Sequence, residues 1–152
     1  MEDTESVWDY PRPPRVERSP ERVVIEVDGR VIVDSTEAVR VLETSHPPVY
    51  YLPRAAFAEG SLSAAEGTSF CEFKGVARYL SVGGAERSAW YYPEPSPGFE
   101  ELADRVAVYP SLMDRCVVDG ETVTAQEGDF YGGWITSKIV GPFKGAAGTM
   151  GW

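Results

Sequence analysis

Residues 22–35 read Arg-Val-Val-Ile-Glu-Val-Asp-Gly-Arg-Val-Ile-Val-Asp-Ser, two β-branched runs joined by Asp28-Gly29. Side chains branched at Cβ lose rotamer freedom in a helix and pack well on a pleated surface. Asp-Gly is the two-residue link that a tight hairpin favours, because both turn residues must take positive φ. This stretch predicts strands at 22–27 and 30–34, with Ile25 facing Ile32 and Val24 facing Val33. Apolar residues stand on both faces, so the reading expects the hairpin to be covered on both sides. A chain with this hairpin near its start is committed to antiparallel sheet. Residues 116–122, Cys-Val-Val-Asp-Gly-Glu-Thr, predict a second hairpin at Asp119-Gly120. The shared Val-Asp-Gly is too short to establish an internal repeat.

The remaining segments carry weaker signals. Asp34 and Glu37 have capping-box spacing, and Ala38, Val39, Val41 and Leu42 follow at helical spacing with Arg40 and Glu43 outward, predicting a helix over 36–43. His46-Pro47-Pro48 would end it, since the residue before proline leaves the helical region. Strands are expected at 49–52, on either side of a break at Lys74-Gly75, at 88–93 after a Gly83-Gly84 turn, and at 106–110. A helical turn is expected near 99–103. Residues 55–67 read as a short helical turn or a loop, and the last two glycine-bounded stretches of the glycine- and aromatic-rich C-terminal segment as loop more than strand. Prolines at 11, 13, 14 and 20 make residues 1–20 an extended N-terminal arm, with Trp8 and Tyr10 expected to dock. Residues 21–152 are expected to form a single compact β-rich domain. The fold class is therefore mainly β or α+β: antiparallel sheets of short strands and hairpins with one or two short helices.

Charge and cysteine content narrow the function. The net charge of −10 over 152 residues repels polyanions, so no nucleic-acid polymer is expected as partner. No apolar run approaches the length of a membrane span, and the acidic N-terminus carries no hydrophobic leader. Two cysteines, Cys71 and Cys116, are too few for a disulfide framework and fit a cytoplasmic location, whether paired or not. With one histidine and two cysteines, no metal and no cofactor are expected.

The aromatic residues point to a site. Tyr50, Tyr51, Tyr79, Trp90, Tyr91, Tyr92, Phe130, Tyr131 and Trp134 fall in dense clusters. Neighbours on a strand point to opposite faces, so these rings cannot share one core, and some must line a groove, an interface or a second apolar layer. The expected pocket is walled by Tyr50, Tyr51, Tyr79, Trp90, Tyr92 and Trp134. Arg54 and Lys74 supply positive charge, Glu43 stands at the rim, and Gly132-Gly133 let the backbone approach a ligand. Such a pocket would take a small anionic or planar molecule. An alternative is an enzyme using Cys71 as nucleophile, with Lys74 and His46 assisting. Against it, most unpaired cysteines are small buried hydrophobes, and a histidine after a helix serves equally as a cap. A third alternative is a homodimer formed through the aromatic faces.

Several stretches also carry a resemblance. GRVIVDSTEAVRVLET, PPVYYLPR, CEFKGVARY, AWYYPEP and RVAVYP occur in that order, followed by FYGGWITSKIVGPFKG. From about Val23 to the end, the chain resembles the bacterial family of domain of unknown function 427. Glu72 and Phe73 stand where members often carry proline and tyrosine, so a rigid turn is not expected there. The resemblance implies a compact β-rich domain with no established activity, a nucleotidyltransferase-like label and no catalytic residues to transfer. The residues lean away from an enzyme. Metal-assisted phosphoryl chemistry needs carboxylates grouped beside the phosphates, and no such grouping or phosphate-binding glycine loop is recognisable. Phe-Lys-Gly does occur twice, at 73–75 and 143–145.

Overall fold

The structure, a computed structural model, describes residues 4–128 and 131–152; Phe130 of the aromatic clusters and the start of the arm lie outside them. The strands are β1 (Glu5–Ser6), β2 (Arg15–Ser19), β3 (Val23–Val27), β4 (Arg30–Ser35), β5 (Ala38–Leu42), β6 (Val49–Pro53) and β7 (Leu62–Cys71). They continue as β8 (Gly75–Val82), β9 (Ala85–Tyr91), β10 (Arg105–Val108), β11 (Arg115–Val118), β12 (Glu121–Thr122), β13 (Thr124–Ala125), β14 (Trp134–Ile135) and β15 (Ile139–Val140). Helical structure among the described residues is confined to short 3-10 turns, one of them at Glu100–Leu102.

Two antiparallel sheets carry the fold, one of seven strands in the order β2-β5-β6-β10-β9-β8-β7 and one of four in the order β12-β11-β3-β4. Both Asp-Gly hairpins form. Asp28 and Gly29 take φ of 54° and 74°, and Asp119 and Gly120 take 47° and 83°, the left-handed pair that this turn requires. The first hairpin's register differs from expectation. Ile25 pairs with Val33 and Val24 with Asp34, and the ladder shifts after Ile25 so that Glu26 meets Val31. A bulge of this kind puts an extra residue on one strand, and Ile32 is that residue. The hairpin is also covered on one face only: Val23, Ile25 and Val27 are buried, while Val31 stays 55% exposed.

The expected helix over 36–43 is a strand. Ser35 Oγ accepts from the Glu37 amide at 3.1 Å, and Ala38–Leu42 then pairs with β2 on one side and β6 on the other. Every residue of β5 is buried. A strand covered on both faces needs apolar side chains on both, and the resulting run mimics a helical stripe. Arg40, expected outward, is instead buried between Glu5 and Glu17, with its guanidinium 2.5 Å from each carboxylate.

Coverage of both faces of the seven-stranded sheet positions the site. One face packs on the four-stranded sheet around Ile25, Val33, Leu52, Val82, Val106 and Cys116. Burial of each such side chain contributes roughly 1.5–3 kcal/mol. The opposite face carries a second layer that includes Val39, Tyr51, Tyr79, Trp90, Tyr92 and Leu102. A third cluster, of Val7, Tyr10, Leu42 and Ile139, joins the arm to the C-terminal segment, where β1 runs parallel to β15. Trp8 caps this corner, its ring 5.4 Å from Trp152 and its Nε1 donating to Pro142 O at 2.8 Å.

Candidate functional site

Strand alternation sorts the tyrosines and tryptophans. Tyr51 in β6, Tyr79 in β8 and Trp90 in β9 project from the outer face of the seven-stranded sheet, and Tyr92 follows just past β9. Their one-residue neighbours Tyr50 and Tyr91 turn to the sandwich side. The register then makes space. Ala107 pairs with Tyr51 on one side and with Trp90 on the other, so a methyl lies between two large rings. The Tyr51 and Trp90 rings stand edge to face with centroids 6.3 Å apart, and Trp90 Nε1 donates to Tyr51 Oη at 3.3 Å. Tyr109 lies 4.6 Å from the Trp90 ring. The result is a cavity of about 320 Å³ whose walls include Tyr51, Tyr79, Trp90, Tyr92 and Tyr109.

Three other segments complete the walls. The first is the turn from β7 to β8, where residues 69–74 border the cavity and include Cys71, Glu72 and Lys74. The Ser96 amide donates to Lys74 O at 2.9 Å and ties this turn down. The second is the β5–β6 connection, with Glu43 and His46. The third is the C-terminal stretch, with Gln126, Gly132 and Lys144. Gln126 holds that stretch together, donating from Nε2 to Lys144 O at 2.6 Å and accepting the Gly133 amide at 3.1 Å.

Eight of the eleven side chains expected at the site meet around this cavity: Glu43, His46, Tyr51, Cys71, Lys74, Tyr79, Trp90 and Tyr92. Three stand elsewhere. Tyr50 faces the sandwich, donates to Glu21 at 2.7 Å and packs 4.8 Å from Trp134. Trp134 is fully buried there, with no acceptor for its Nε1–H among the described residues. Arg54 lies over the Tyr91 ring at 4.6 Å. Gly132-Gly133 also act differently from expectation. A Cβ on Gly132 would fall 2.3 Å from the Trp90 ring, and one on Gly133 would fall 2.4 Å from Gln126 Oε1. The backbone approaches the protein's own side chains here.

Sequence reasoning missed Lys144, Gln126 and Tyr109. The doubled Phe-Lys-Gly was the one signal for Lys144. The fold brings Lys74 and Lys144, from opposite parts of the chain, to the same cavity. Each ammonium stands over a tyrosine ring: Lys74 Nζ is 6.0 Å from the Tyr92 centroid and Lys144 Nζ 5.7 Å from that of Tyr131. Neither lysine has a carboxylate within ion-pair distance among the described residues. Glu43, by contrast, is paired with Arg12 at 3.3 Å.

Protonation follows from burial. Desolvation pushes the phenols of Tyr51, Tyr92 and Tyr109 well above the usual tyrosine range, so each stays a neutral hydroxyl. His46 does not cap a helix. Its Nδ1 lies 2.9 Å from Thr44 O in a turn, which assigns the N–H to Nδ1. Burial holds its pKa below the ordinary value, although the Thr44 carbonyl and Glu43 oppose the shift. Both cysteines are free thiols: Cys71 is partly exposed at the cavity and Cys116 is buried in the sandwich. Among the described residues, no group of three or more His, Cys, Asp or Glu side chains is placed to hold a metal ion, and no helix is long and apolar enough to cross a membrane.

Residues 15–119 match the model of a family described as a domain of unknown function (DUF427). No curated protein matches the chain.

Proposed function

We propose, for a chain that belongs to the family of domain of unknown function 427, that it is a binding domain. Its ligand is a small planar molecule with anionic character, held in the cavity on the outer face of the seven-stranded sheet. One observation carries this reading: an aromatic-walled space of about 320 Å³ receives two lysines that have no ion-pair partner among the described residues. Ligand sites are concave and mostly apolar, with a few polar groups fixing orientation, and an unpaired ammonium beside apolar walls favours an anion. The volume suits a molecule of one or two fused rings. Ligand-observed NMR with a mixed set of planar and aliphatic fragments tests the reading. Planar acids should dominate the hits, and Ser69→Trp, which fills the cavity from β7, should abolish them. Hits that are indifferent to planarity, or that survive the blocking substitution, would refute it.

A second reading draws on the meeting of Cys71, Lys74 and His46 around the same cavity. In it Cys71 is a nucleophile, and Lys74 and His46 assist. Timed alkylation with iodoacetamide discriminates, because buried Cys116 serves as an internal reference. Reaction at Cys71 far faster than at a simple thiol, slowed by Lys74→Met, would favour the enzyme; reaction at the rate of an ordinary thiol would dismiss it.

A further inference from the structure

The cavity is asymmetric in its hydrogen-bonding capacity, and the asymmetry indicates which chemical group it accepts. Trp90 Nε1 can only donate, so the Tyr51 oxygen is the acceptor in their contact. Tyr92 brings a second hydroxyl to the same cavity. The Tyr51 O–H proton has no acceptor among the described residues. Tyr51 is 1% exposed, so that proton belongs to a buried group, and leaving such a donor unsatisfied is costly. Lys74 stands over the ring of Tyr92 and adds an ammonium with no carboxylate partner among the described residues. Of the acceptors around the cavity, Glu43 is paired with Arg12 and the Gln126 carbonyl accepts the Gly133 amide, while exposed Glu72 and His46 Nε2 also border it. Tyr51, Tyr92 and Lys74 bring three donors to this cavity. Trp90 and Tyr109, 4.6 Å apart, form the apolar wall beside them.

We propose that Tyr51, Tyr92 and Lys74 form a carboxylate subsite, and that the ligand is an aromatic carboxylate whose ring lies against Trp90 and Tyr109. The proposal rests on the binding reading above and adds the ligand's class and its orientation. One ammonium and two neutral phenols balance a single negative charge. A carboxylate also presents two coplanar acceptor oxygens, which suit donors arriving from separate elements, Tyr51 on β6, Tyr92 after β9 and Lys74 in the β7–β8 turn. Lys144 lies on the wall held by Gln126 and meets the far edge of the ring system.

Calorimetry with two probes tests this: indole-3-carboxylate and its neutral isostere indole-3-carboxamide. The carboxylate should bind about tenfold more tightly, as expected for a charge-assisted contact. Lys74→Met should remove that preference by weakening carboxylate binding far more than carboxamide binding. Tyr51→Phe, which deletes a single oxygen, should reduce the preference, and thermal unfolding of both variants will verify that they fold. Equal binding of the two probes by the wild type, or a preference that survives Lys74→Met, would overturn the carboxylate subsite while leaving the cavity a binding site. If neither probe binds, both this assignment and the binding reading it rests on are overturned.

Discussion

Alkaline pH should expose the burial of Cys116 as a loss of stability that one substitution removes. Cys116 lies in β11 opposite Ile25, 1% exposed between the two sheets. Desolvation alone pushes its thiol from an ordinary 9.0 up to about 12. In the unfolded chain the same thiol ionises near its ordinary value. Between those limits the folded state keeps a proton that the unfolded state gives up, so stability present below pH 9 is lost as pH rises toward 12. At about 1.36 kcal/mol per pH unit, the loss between about pH 8 and pH 11 is about 2.5 kcal/mol. Urea unfolding in the presence of a phosphine reductant measures it, comparing wild type with Cys116→Val. Tyrosine and lysine titrations affect both proteins alike, so the wild type should lose about 2.5 kcal/mol more than the variant over that range. Parallel pH profiles would refute the buried thiol, and a steeper profile in the variant would reverse the sign of the argument.

Three further outcomes follow from contacts described above. Gly132→Ala places a methyl 2.3 Å from the Trp90 ring; a forced shift there should cost about 1–3 kcal/mol in denaturant unfolding and change Trp90 fluorescence. Arg40→Met should lower stability by about 2 kcal/mol, because Glu5 and Glu17 lose their shared partner while retaining some solvent; the thermal midpoint reports it. Burial holds His46 below its ordinary 6.5, so below about pH 6.5 the unfolded chain takes up a proton that the folded one resists, and stability falls on acidification. His46→Gln should flatten that limb, and an unchanged acid profile would contradict the burial.

What could be read in advance was local. Asp28-Gly29 and Asp119-Gly120 fix their turns through their own backbone demands, so both hairpins were legible. Tyr50-Tyr51 and Trp90-Tyr91-Tyr92 announced two faces, because alternation along a strand is a property of adjacent residues. The family resemblance agrees with the match over residues 15–119. The misreadings came from tertiary context. Ala38–Leu42 is apolar on both sides because sheet layers cover both sides, and no periodicity separates that from a helix. A bulge moved Val33 into the place assigned to Ile32. Trp134 is one of the clustered rings expected in the pocket wall, yet it packs 4.8 Å from Tyr50 in the sandwich. Lys144 is held by a bond from its amide to Ser45 O, distant in the sequence, and Gln126 by its bonds to Lys144 and Gly133, and no strand or turn pattern encodes either.

The matched region ends at residue 119, yet Gln126, Gly132 and Lys144 border the cavity beyond it. The walls of the cavity therefore come from two parts of the chain, the sheet within the matched region and the stretch beyond it. The sheet residues beneath must also keep the sandwich intact, whereas the closing stretch is held by buried Trp134, by the β1–β15 pairing and by the Gln126 bonds. On the binding proposal, substitutions in that stretch would reshape one wall of the cavity without disturbing the strands that carry Tyr51, Tyr79 and Trp90.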